Sequence, residues 1–392
     1  MSILDKKVTF LMSFSHSGLD WLQSLLYSHK SILMMPTISY YRVWRELKCD
    51  SIKNSNDMVS AWREYFSKSL MDHRGCKVLL IDDTRKMNKF YDRFLQKTTE
   101  AGLDKKNVFF MLHEAYAYAN DINLDTISHI IAQEHDPFSF ENLHKDFIEP
   151  KVVFIVRDPR AAFAGAYKGV SRKCIGDPNC WDRLIRLLHA QWVYAMQIQK
   201  KEDGQKNYYV IKNEDLNGNI EHEMKLLSRI LGIEYNKSII KSSSFIEGKK
   251  WIVDSCYITR KTQIVRPNFM SQVQKRERWM SILTNKDILM IESICKDLMH
   301  KFNYERITKD NFKNTCLGYL YFLFPTRGSN RFSFYKVEEL EKNNNIPLSS
   351  SQFFRKFYSS MPLFMHTFFV NFNIFYKRLY ILSFSIAKKY HS

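Results

Sequence analysis

Short apolar runs alternate with amphipathic segments along the first 230 residues of the chain. The runs that predict buried β-strands are residues 8–12, 76–81, 107–112, 151–156 and 208–212. Apolar side chains recur at helical spacing in residues 19–29, 58–70 and 89–100, whereas residues 120–150 read as a mixture of loop and helix. Wholly apolar strands that alternate with helices indicate a parallel sheet covered by helices on both faces.

The C-terminal region, from Asn311 onwards, follows a different pattern. No acidic residue occurs after Glu341, although Lys and Arg continue. Residues 357–376 carry no formal charge and are long enough to span a membrane, but their polar side chains fall on one helical face and leave a wide apolar face. A basic helix of this kind is typical of a membrane surface. A helix packed on the main domain and a membrane span are the alternatives.

We therefore predict an α/β domain over residues 1–310 and a C-terminal aromatic and basic helical extension over residues 311–392. The hydrophobic fraction of 45% is sufficient for a packed core, and the net charge of +18 implies an acidic partner. A nucleotide, an acidic glycan and an anionic membrane surface reached through residues 350–392 all fit. A nucleic acid partner is disfavoured, because the basic residues are spread and no zinc-finger or basic-zipper pattern occurs.

The seven cysteines form no CxxC pair and no Cys/His cluster with zinc spacing, so no metal site is expected. Reduced thiols, together with an N-terminus that lacks a signal-peptide pattern, predict a cytoplasmic protein.

Two turns that each join a predicted strand to a predicted helix carry the candidate chemistry. The first turn reads Ser-Phe-Ser-His-Ser-Gly-Leu-Asp-Trp-Leu from Ser13 to Leu22, and the second reads Arg-Asp-Pro-Arg-Ala-Ala-Phe-Ala from Arg157 to Ala164. Such a turn directs backbone N–H groups and the positive end of a helix dipole at one spot, which favours phosphate or sulfate. Two of them at the carboxyl edge of one sheet predict a ligand with two anionic groups.

The two turns resemble those of the sulfotransferase family, which uses 3′-phosphoadenosine 5′-phosphosulfate (PAPS) as sulfuryl donor. In that family the first turn reads roughly Ser-x-Pro-Arg/Lys-Ser-Gly-Thr-Thr-Trp-Leu, and the second reads roughly Arg-Asp-Pro-Arg-Ala. Further segments that match in order are residues 210–216, 226–233, 248–251, 276–279 and 291–304. The resemblance covers roughly residues 6–306 and implies a P-loop-like central parallel sheet with helices on both faces.

The resemblance also implies which residues bind the donor. On the first turn, the 5′-phosphosulfate would be held by Ser15, His16, Ser17, Gly18, Leu19 and Asp20, with Trp21 packed beneath the turn. The 3′-phosphate would be bound by Arg157, Gly165, Lys249 and Lys250, whereas Arg160 is expected to face solvent. The chain departs from the family pattern at Ser15, His16, Leu19, Asp20 and Gly165, where the family has Pro, Arg or Lys, two hydroxyl residues and Ser.

The general base of that family is a His or an acidic residue. His113 and Glu114 follow the predicted strand 107–112, and His113 is preferred because a neutral imidazole accepts a proton near pH 7. Asp83, after the predicted strand 76–81, is a third candidate, and a purely structural role is the alternative for His113. His16 could donate to a sulfate oxygen and is a further catalytic candidate.

The sequence thus predicts a sulfotransferase that moves a sulfuryl group from PAPS to a hydroxyl, on a carbohydrate or glycolipid, without a metal. The alternative is a catalytically degenerate nucleotide-binding or scaffold protein on the same fold, since His16, Asp20 and Gly165 alter the donor turns. A P-loop nucleotide kinase is disfavoured because the Gly-x-x-x-x-Gly-Lys-Ser/Thr pattern is missing.

Overall fold

The computed structural model of the protein describes residues 2–13, 17–27, 29–35, 39–70, 84–134, 139–171, 207–240, 279–323 and 372. Contacts divide these residues into two compact units. The first unit holds those within Met1–Arg157 and Met196–Gln272, and the second holds those within Asp158–Ala195 and Val273–Ser392. Several predicted features lie outside the described residues, namely the strand 76–81, Asp83, Ser15, His16, Lys249, Lys250 and nearly all of the extension after Leu323. The division at residue 310 stays a prediction.

A five-stranded parallel sheet forms the centre of the first unit. Its strands are β1 (Lys7–Ser13), β2 (Ile32–Leu33), β3 (His129–Glu134), β4 (Lys151–Val156) and β5 (Tyr208–Lys212). Their spatial order is β2-β3-β1-β4-β5, and every neighbouring pair is parallel. The predicted fold class is therefore confirmed, together with the predicted strands at residues 8–12, 151–156 and 208–212.

The helices of the described residues are named here in chain order. In the first unit they are α1 (Leu19–Tyr27), α2 (Tyr40–Glu46), α3 (Ser55–Leu70), α4 (Thr84–Ala101), α5 (Lys105–Ala119), α6 (Phe140–Asp146), α8 (Asn213–Gly218) and α9 (Ile220–Leu231). In the second unit they are α7 (Pro159–Ser171), α10 (Asn285–Ile294), α11 (Lys296–Lys301) and α12 (Phe312–Leu323). The predicted helices at residues 19–29, 58–70 and 89–100 are confirmed.

Successive residues of each strand direct their side chains to opposite faces of the sheet. Leu11, Val153 and Ile155 join a buried aliphatic cluster that contains Leu22 and Leu227, from α1 and α9. On the other face, the ring of Phe10 contacts those of Tyr41, Phe109 and Phe147. Both faces are therefore buried, which explains why the strands read as apolar runs.

Two predictions about elements are wrong. Residues 107–112 belong to helix α5, which begins where the Asp104 side chain accepts a hydrogen bond from the Asn107 N–H at 2.9 Å. A six-residue apolar run suits a buried helix as well as a buried strand, and here the cap decides. The second error concerns residues 120–150, which contain strand β3. All six residues of β3 are buried, although polar side chains at its ends hide the apolar run.

The second unit is built around α7, α10 and α12. Phe163 of α7, Ile291 of α10 and Phe322 of α12 belong to one buried apolar cluster. Gly318 allows α12 to approach α10 closely, because a Cβ at this position would overlap the Ser293 side chain. The second unit thus has its own core, and the N-terminal end of α7 is part of it.

Candidate active site

At the carboxyl edge of the sheet, the ends of β1 and β4 lie side by side. From β1 the chain continues towards β2 and β3, whereas from β4 it continues to β5 on the opposite side, so the strand order reverses between β1 and β4. Ser13 pairs with Ile155, and Val156 pairs with Lys212, so the three strands end at nearly the same level. Ligands of open parallel sheets bind at such a switch point.

The first turn follows β1 and enters α1 through two tightly placed residues. Ser17 is buried, and the Gly18 carbonyl accepts the first hydrogen bond of the helix from the Leu22 N–H, at 3.1 Å. Gly18 has φ +96°, and a Cβ on it would overlap the Asn213 side-chain amide. Only glycine meets both demands, so the Gly of the predicted turn is explained by backbone conformation and by close approach.

The side chains of Leu19 and Trp21, which follow Gly18, pack into the core. Leu19 is only 2% exposed and belongs to the same buried cluster as Leu22, and Trp21 packs against that cluster. Of Leu19, therefore, only the backbone N–H is available to bind an anion. The predicted position of Trp21 beneath the turn stays a prediction. The Asp20 side chain, like Ser15 and His16, lies outside the described residues.

Ser13, the last residue of β1, was not among the predicted ligands. Its side chain is 2% exposed, and its Oγ has no hydrogen-bond partner in the described part of the chain. A buried hydroxyl without a partner is unfavourable unless something accepts its hydrogen bond. An anion at the first turn would satisfy it. The signal in the sequence was a hydroxyl residue at the end of an apolar run.

The second turn connects β4 to α7 in only two residues. Arg157 is half-buried, and Asp158 caps the helix, since its carboxylate accepts from the Arg160 N–H at 2.9 Å and its carbonyl accepts from the Ala162 N–H at 2.9 Å. Pro159 occupies the first helical position, which tolerates it because no intrahelical donor is needed there. The Asp-Pro pair therefore sets where α7 begins, and Arg157 is the cation at the strand end.

The expectation that Arg160 faces solvent is wrong. Its side chain is 5% exposed, and two of its nitrogens donate to Asp158, from Nε at 3.0 Å and from Nη2 at 2.7 Å. Its Nη1 donates to Glu292 at 2.6 Å, and its guanidinium lies 4.5 Å from the centre of the Trp279 ring. A guanidinium committed in this way is a structural group of the second unit.

The other predicted ligands of the 3′-phosphate are only partly described. Gly165 lies in the second turn of α7 and is half-buried. Lys249 and Lys250 lie outside the described residues. The assignment of these three residues to the donor stays a prediction.

His113 and Glu114 do not stand at the end of a strand, because both lie inside α5. His113 is 4% exposed, its Nδ1 is 2.7 Å from the Phe109 carbonyl, and burial lowers its pKa to about 4. Glu114 accepts a hydrogen bond from Arg93 at 2.5 Å and lies 3.7 Å from Lys97. Neither residue therefore follows a strand at the sheet edge, and their catalytic roles stay predictions.

The strand end beside β1 is instead that of β3, which the sequence analysis missed. Glu134, the last residue of β3, pairs with Met12 of β1. Its carboxylate is fully buried and accepts from the Tyr41 N–H at 2.9 Å. His135 follows it directly in the sequence and lies outside the described residues. The available signal was Ile130-Ile131-Ala132 followed by four polar or charged residues, a short strand pattern.

Among the described residues, no group of His, Cys, Asp and Glu side chains could hold a metal ion. No helix in this part of the chain is long and apolar enough to cross a membrane.

A cleft of about 630 Å³ lies at the amino ends of β4 and β5, lined by residues 144–150 with Lys106, Asn207 and Tyr208. It is at the opposite edge from the anion-binding turns and mixes Lys with Asp and Glu.

Comparisons with known proteins agree with the resemblance read from the sequence. The sulfotransferase domain family matches residues 6–303. The chain is similar to the sulfotransferase domain from the curacin biosynthetic pathway, with 13% identity, coverage of 76% of this chain and 98% of that chain, and a TM-score of 0.49. It is also similar to the sulfotransferase domain of the Synechococcus PCC 7002 olefin synthase, with 15% identity, coverage of 76% and 96%, and a TM-score of 0.44.

A mouse sulfotransferase complexed with PAP is similar at 12% identity, with coverage of 80% of this chain and 90% of that chain and a TM-score of 0.39. No curated protein matched the sequence. The match over residues 6–303 is what decides the family.

Proposed function

The chain belongs to the sulfotransferase domain family, and from that premise we propose that it transfers a sulfuryl group from PAPS to a hydroxyl group of an acceptor. The observation that carries this proposal is the switch point between β1 and β4. There the buried Ser13 hydroxyl, which has no hydrogen-bond partner among the described residues, ends β1 just before a glycine turn, and Arg157 follows the adjacent strand β4.

The donor residues divide between the two turns. The first turn binds the 5′-phosphosulfate through the hydroxyls of Ser13, Ser15 and Ser17, the His16 imidazole and the backbone N–H groups of Gly18, Leu19 and Asp20. Arg157 binds the 3′-phosphate, because a guanidinium offers two parallel donors to phosphate oxygens. The backbone at Gly165 and the amines of Lys249 and Lys250 complete that end of the site.

The reaction needs positioning and charge stabilisation more than covalent chemistry by the protein. The acceptor oxygen forms a new bond to sulfur as the bond between sulfur and the bridging phosphate oxygen breaks. The acceptor proton passes to a general base, and adenosine 3′,5′-bisphosphate leaves with the electron pair. The N–H groups and hydroxyls of the first turn hold the negative charge on the sulfuryl oxygens and on the leaving phosphate.

His135 is the base that we propose in place of His113. It follows β3 directly, β3 pairs with β1, and β1 leads into the first turn. His135 therefore meets the criterion by which His113 was predicted, a position immediately after a buried strand at the carboxyl edge. The buried position of His113 in α5, with one ring nitrogen on a backbone carbonyl, supports a structural role for it.

The acceptor is proposed at the level of a class. The net charge of +18 favours an acidic molecule, and a carbohydrate or glycolipid hydroxyl fits that charge. The basic and aromatic residues 350–392 suit contact with an anionic membrane surface, which would bring a cytoplasmic enzyme to a lipid-linked acceptor. Deletion of residues 350–392 tests this contact, because the truncated chain should no longer bind anionic liposomes.

The alternative is a nucleotide-binding scaffold that has lost turnover. It is favoured by His16, Asp20 and Gly165, which replace a cation and hydroxyl groups of the family pattern. A carboxylate at Asp20, near the N-terminal end of α1, weakens anion binding there.

Calorimetric titration with adenosine 3′,5′-bisphosphate, with ATP as control, tests donor binding. Selective binding of the bisphosphate is expected, and its absence would exclude both PAPS-dependent transfer and a scaffold that binds this nucleotide. Turnover of PAPS with a panel of acceptor sugars then separates the enzyme from the scaffold. His135→Ala should abolish turnover and keep bisphosphate affinity, whereas His113→Leu should retain turnover. The reverse result would return the role of base to His113.

A further inference from the structure

Glu292 carries an unusual number of donors for a side chain remote from the sheet edge. It lies on α10 and is fully buried. Its Oε1 accepts from Arg160 Nη1 at 2.6 Å and from the Ile307 N–H at 3.0 Å. Its Oε2 accepts from the Thr308 N–H at 3.0 Å and from the Thr308 hydroxyl. Arg306 adds a second guanidinium at 3.7 Å.

Arg160 links Glu292 to the second turn by hydrogen bonds to both Glu292 and Asp158. Three of its guanidinium nitrogens are used, two on Asp158 and one on Glu292. Asp158 also caps α7 and directly follows Arg157 in the chain. A carboxylate 132 residues away from Arg160 therefore holds the residue that sets the start of the helix.

The energetics of such a network argue for a role in positioning. Burying the Glu292 carboxylate and the Arg160 guanidinium, and partly burying Asp158, is costly, and apolar residues of similar size often give equal or greater stability. The helix cap by itself needs only the Asp158 side chain and Pro159. The network adds one property that the cap lacks, since it keeps the Asp158 carboxylate bonded to a cation. An uncompensated carboxylate at this helix N-terminus would repel a bound phosphate.

We propose that Glu292 is a positioning residue for the second anion-binding turn. It holds Arg160 on Asp158 and so fixes the start of α7 and neutralises the carboxylate beside Arg157. This inference rests on the proposed function, because the turn has a purpose only if an anionic ligand binds there. Ile307 and Thr308, which donate to Glu292, extend the contribution beyond the segment matched by the family, residues 6–303.

The test compares Glu292→Gln with Ile291→Ala. Ile291 precedes Glu292 on α10 and is fully buried in the apolar cluster. Its truncation to Ala lowers stability without removing a member of the ionic network. The first measurement is hydrogen–deuterium exchange of the backbone amides of residues 157–164 in the full chain without ligand. Exchange should rise about tenfold or more in Glu292→Gln, because the Arg160 and Ala162 amides lose their partners. It should rise much less in Ile291→Ala, which loosens the apolar packing of α7 but leaves the Asp158 cap in place.

The second measurement is calorimetric affinity for adenosine 3′,5′-bisphosphate and for adenosine 5′-monophosphate. Glu292→Gln should lower the affinity for the bisphosphate roughly tenfold and leave the affinity for the monophosphate nearly unchanged, since only the 3′-phosphate is assigned to the second turn. General destabilisation would not change this ratio, and Ile291→Ala should keep the wild-type value.

Distinct outcomes separate this inference from the proposed function. If wild-type protein binds no bisphosphate, the proposed function fails, and the exchange comparison alone decides whether Glu292 holds the turn. If exchange at residues 157–164 is the same in both variants, the positioning role is overturned, whatever the affinity. Thr308→Val, which removes a single donor to Glu292, gives the milder form of the test if Glu292→Gln does not fold. It should shift exchange in the same direction by a smaller factor.

Discussion

The two turns after β1 and β4 are constrained by opposite means where they enter their helices. The first is held by steric fit, since Gly18 has a backbone conformation that glycine favours and lies against the Asn213 side chain. The second is held by charge, through Asp158, Arg160 and Glu292. The first turn therefore tolerates little added volume, and the second tolerates little change in charge.

The difference follows from what each turn presents to a ligand. The first presents backbone N–H groups and hydroxyls, which point correctly only if the backbone is exact in shape. In the proposed site the second presents the Arg157 guanidinium next to the capping Asp158 carboxylate, and we propose that Arg160 balances that carboxylate. Perturbing volume in one turn and charge in the other should separate the two.

Removing the central cation of the second turn should have the largest effect. Arg160→Leu takes away the cation shared by the buried Glu292 and the partly buried Asp158, and we expect a loss of about 3–5 kcal/mol in the free energy of unfolding. Urea unfolding followed by circular dichroism measures this loss. Arg306→Leu is the matched control, because it removes another guanidinium from Glu292 but at 3.7 Å and with greater exposure. Equal stability losses in the two variants would contradict the central position of Arg160.

Removing Arg157, the cation that we propose binds the 3′-phosphate, should affect binding more than folding. Arg157→Ala should lower affinity for adenosine 3′,5′-bisphosphate roughly 30- to 100-fold, or about 2–3 kcal/mol, because a bidentate charged contact is lost. Calorimetry gives the dissociation constants. Arg157→Lys retains the charge but only one donor direction, so its affinity should be intermediate. An unchanged affinity in Arg157→Ala would remove the second turn from the donor site.

Adding one methyl group to the first turn should destabilise it by about 1–2 kcal/mol, from backbone strain and from overlap with Asn213. Gly18→Ala is the variant, and thermal unfolding is the measurement. Gly232→Ala is a matched control, since Gly232 has φ +73° but no atom within 4 Å of an added Cβ. The excess loss in Gly18→Ala measures the overlap. Equal losses would mean that strain alone explains the glycine.

Lowering pH should weaken the scaffold under both turns by a smaller amount. Burial lowers the pKa of His113 from 6.5 to about 4, so the unfolded chain binds a proton that the folded chain excludes. Stability is therefore full above pH 6.5 and falls as pH decreases towards 4. Between pH 7.5 and 5.5 we expect a loss of about 1 kcal/mol from this residue.

Urea unfolding at the two pH values, in wild type and His113→Leu, isolates the contribution of this histidine. His129 also has a pKa lowered to about 4, chiefly by burial, and keeps its contribution in both proteins. The variant should lose less stability on acidification than the wild type. An identical loss in the two proteins would show that His113 is protonated as readily in the folded chain as in the unfolded chain.

Particular residues show how far sequence reasoning could go. The runs at residues 8–12, 151–156 and 208–212 are strands, as predicted, because short apolar runs of this kind fit a parallel sheet that is covered on both faces. The run at residues 107–112 is equally apolar, yet it is part of a helix that Asp104 caps. His113 and Glu114 therefore lie in this helix and do not follow a strand. Strand β3 escaped notice because His129, Gln133 and Glu134 are polar but buried.

The sequence by itself determined the parallel sheet, the two turns that follow β1 and β4, and the family, because apolar periodicity and turn chemistry are local properties of the chain. Only the tertiary structure decided that β3 lies beside β1, that Arg160 is buried against Glu292, and that Asn213 limits Gly18. Each of these joins residues far apart in the chain, and the burial of a charge depends on a partner that no local pattern reveals.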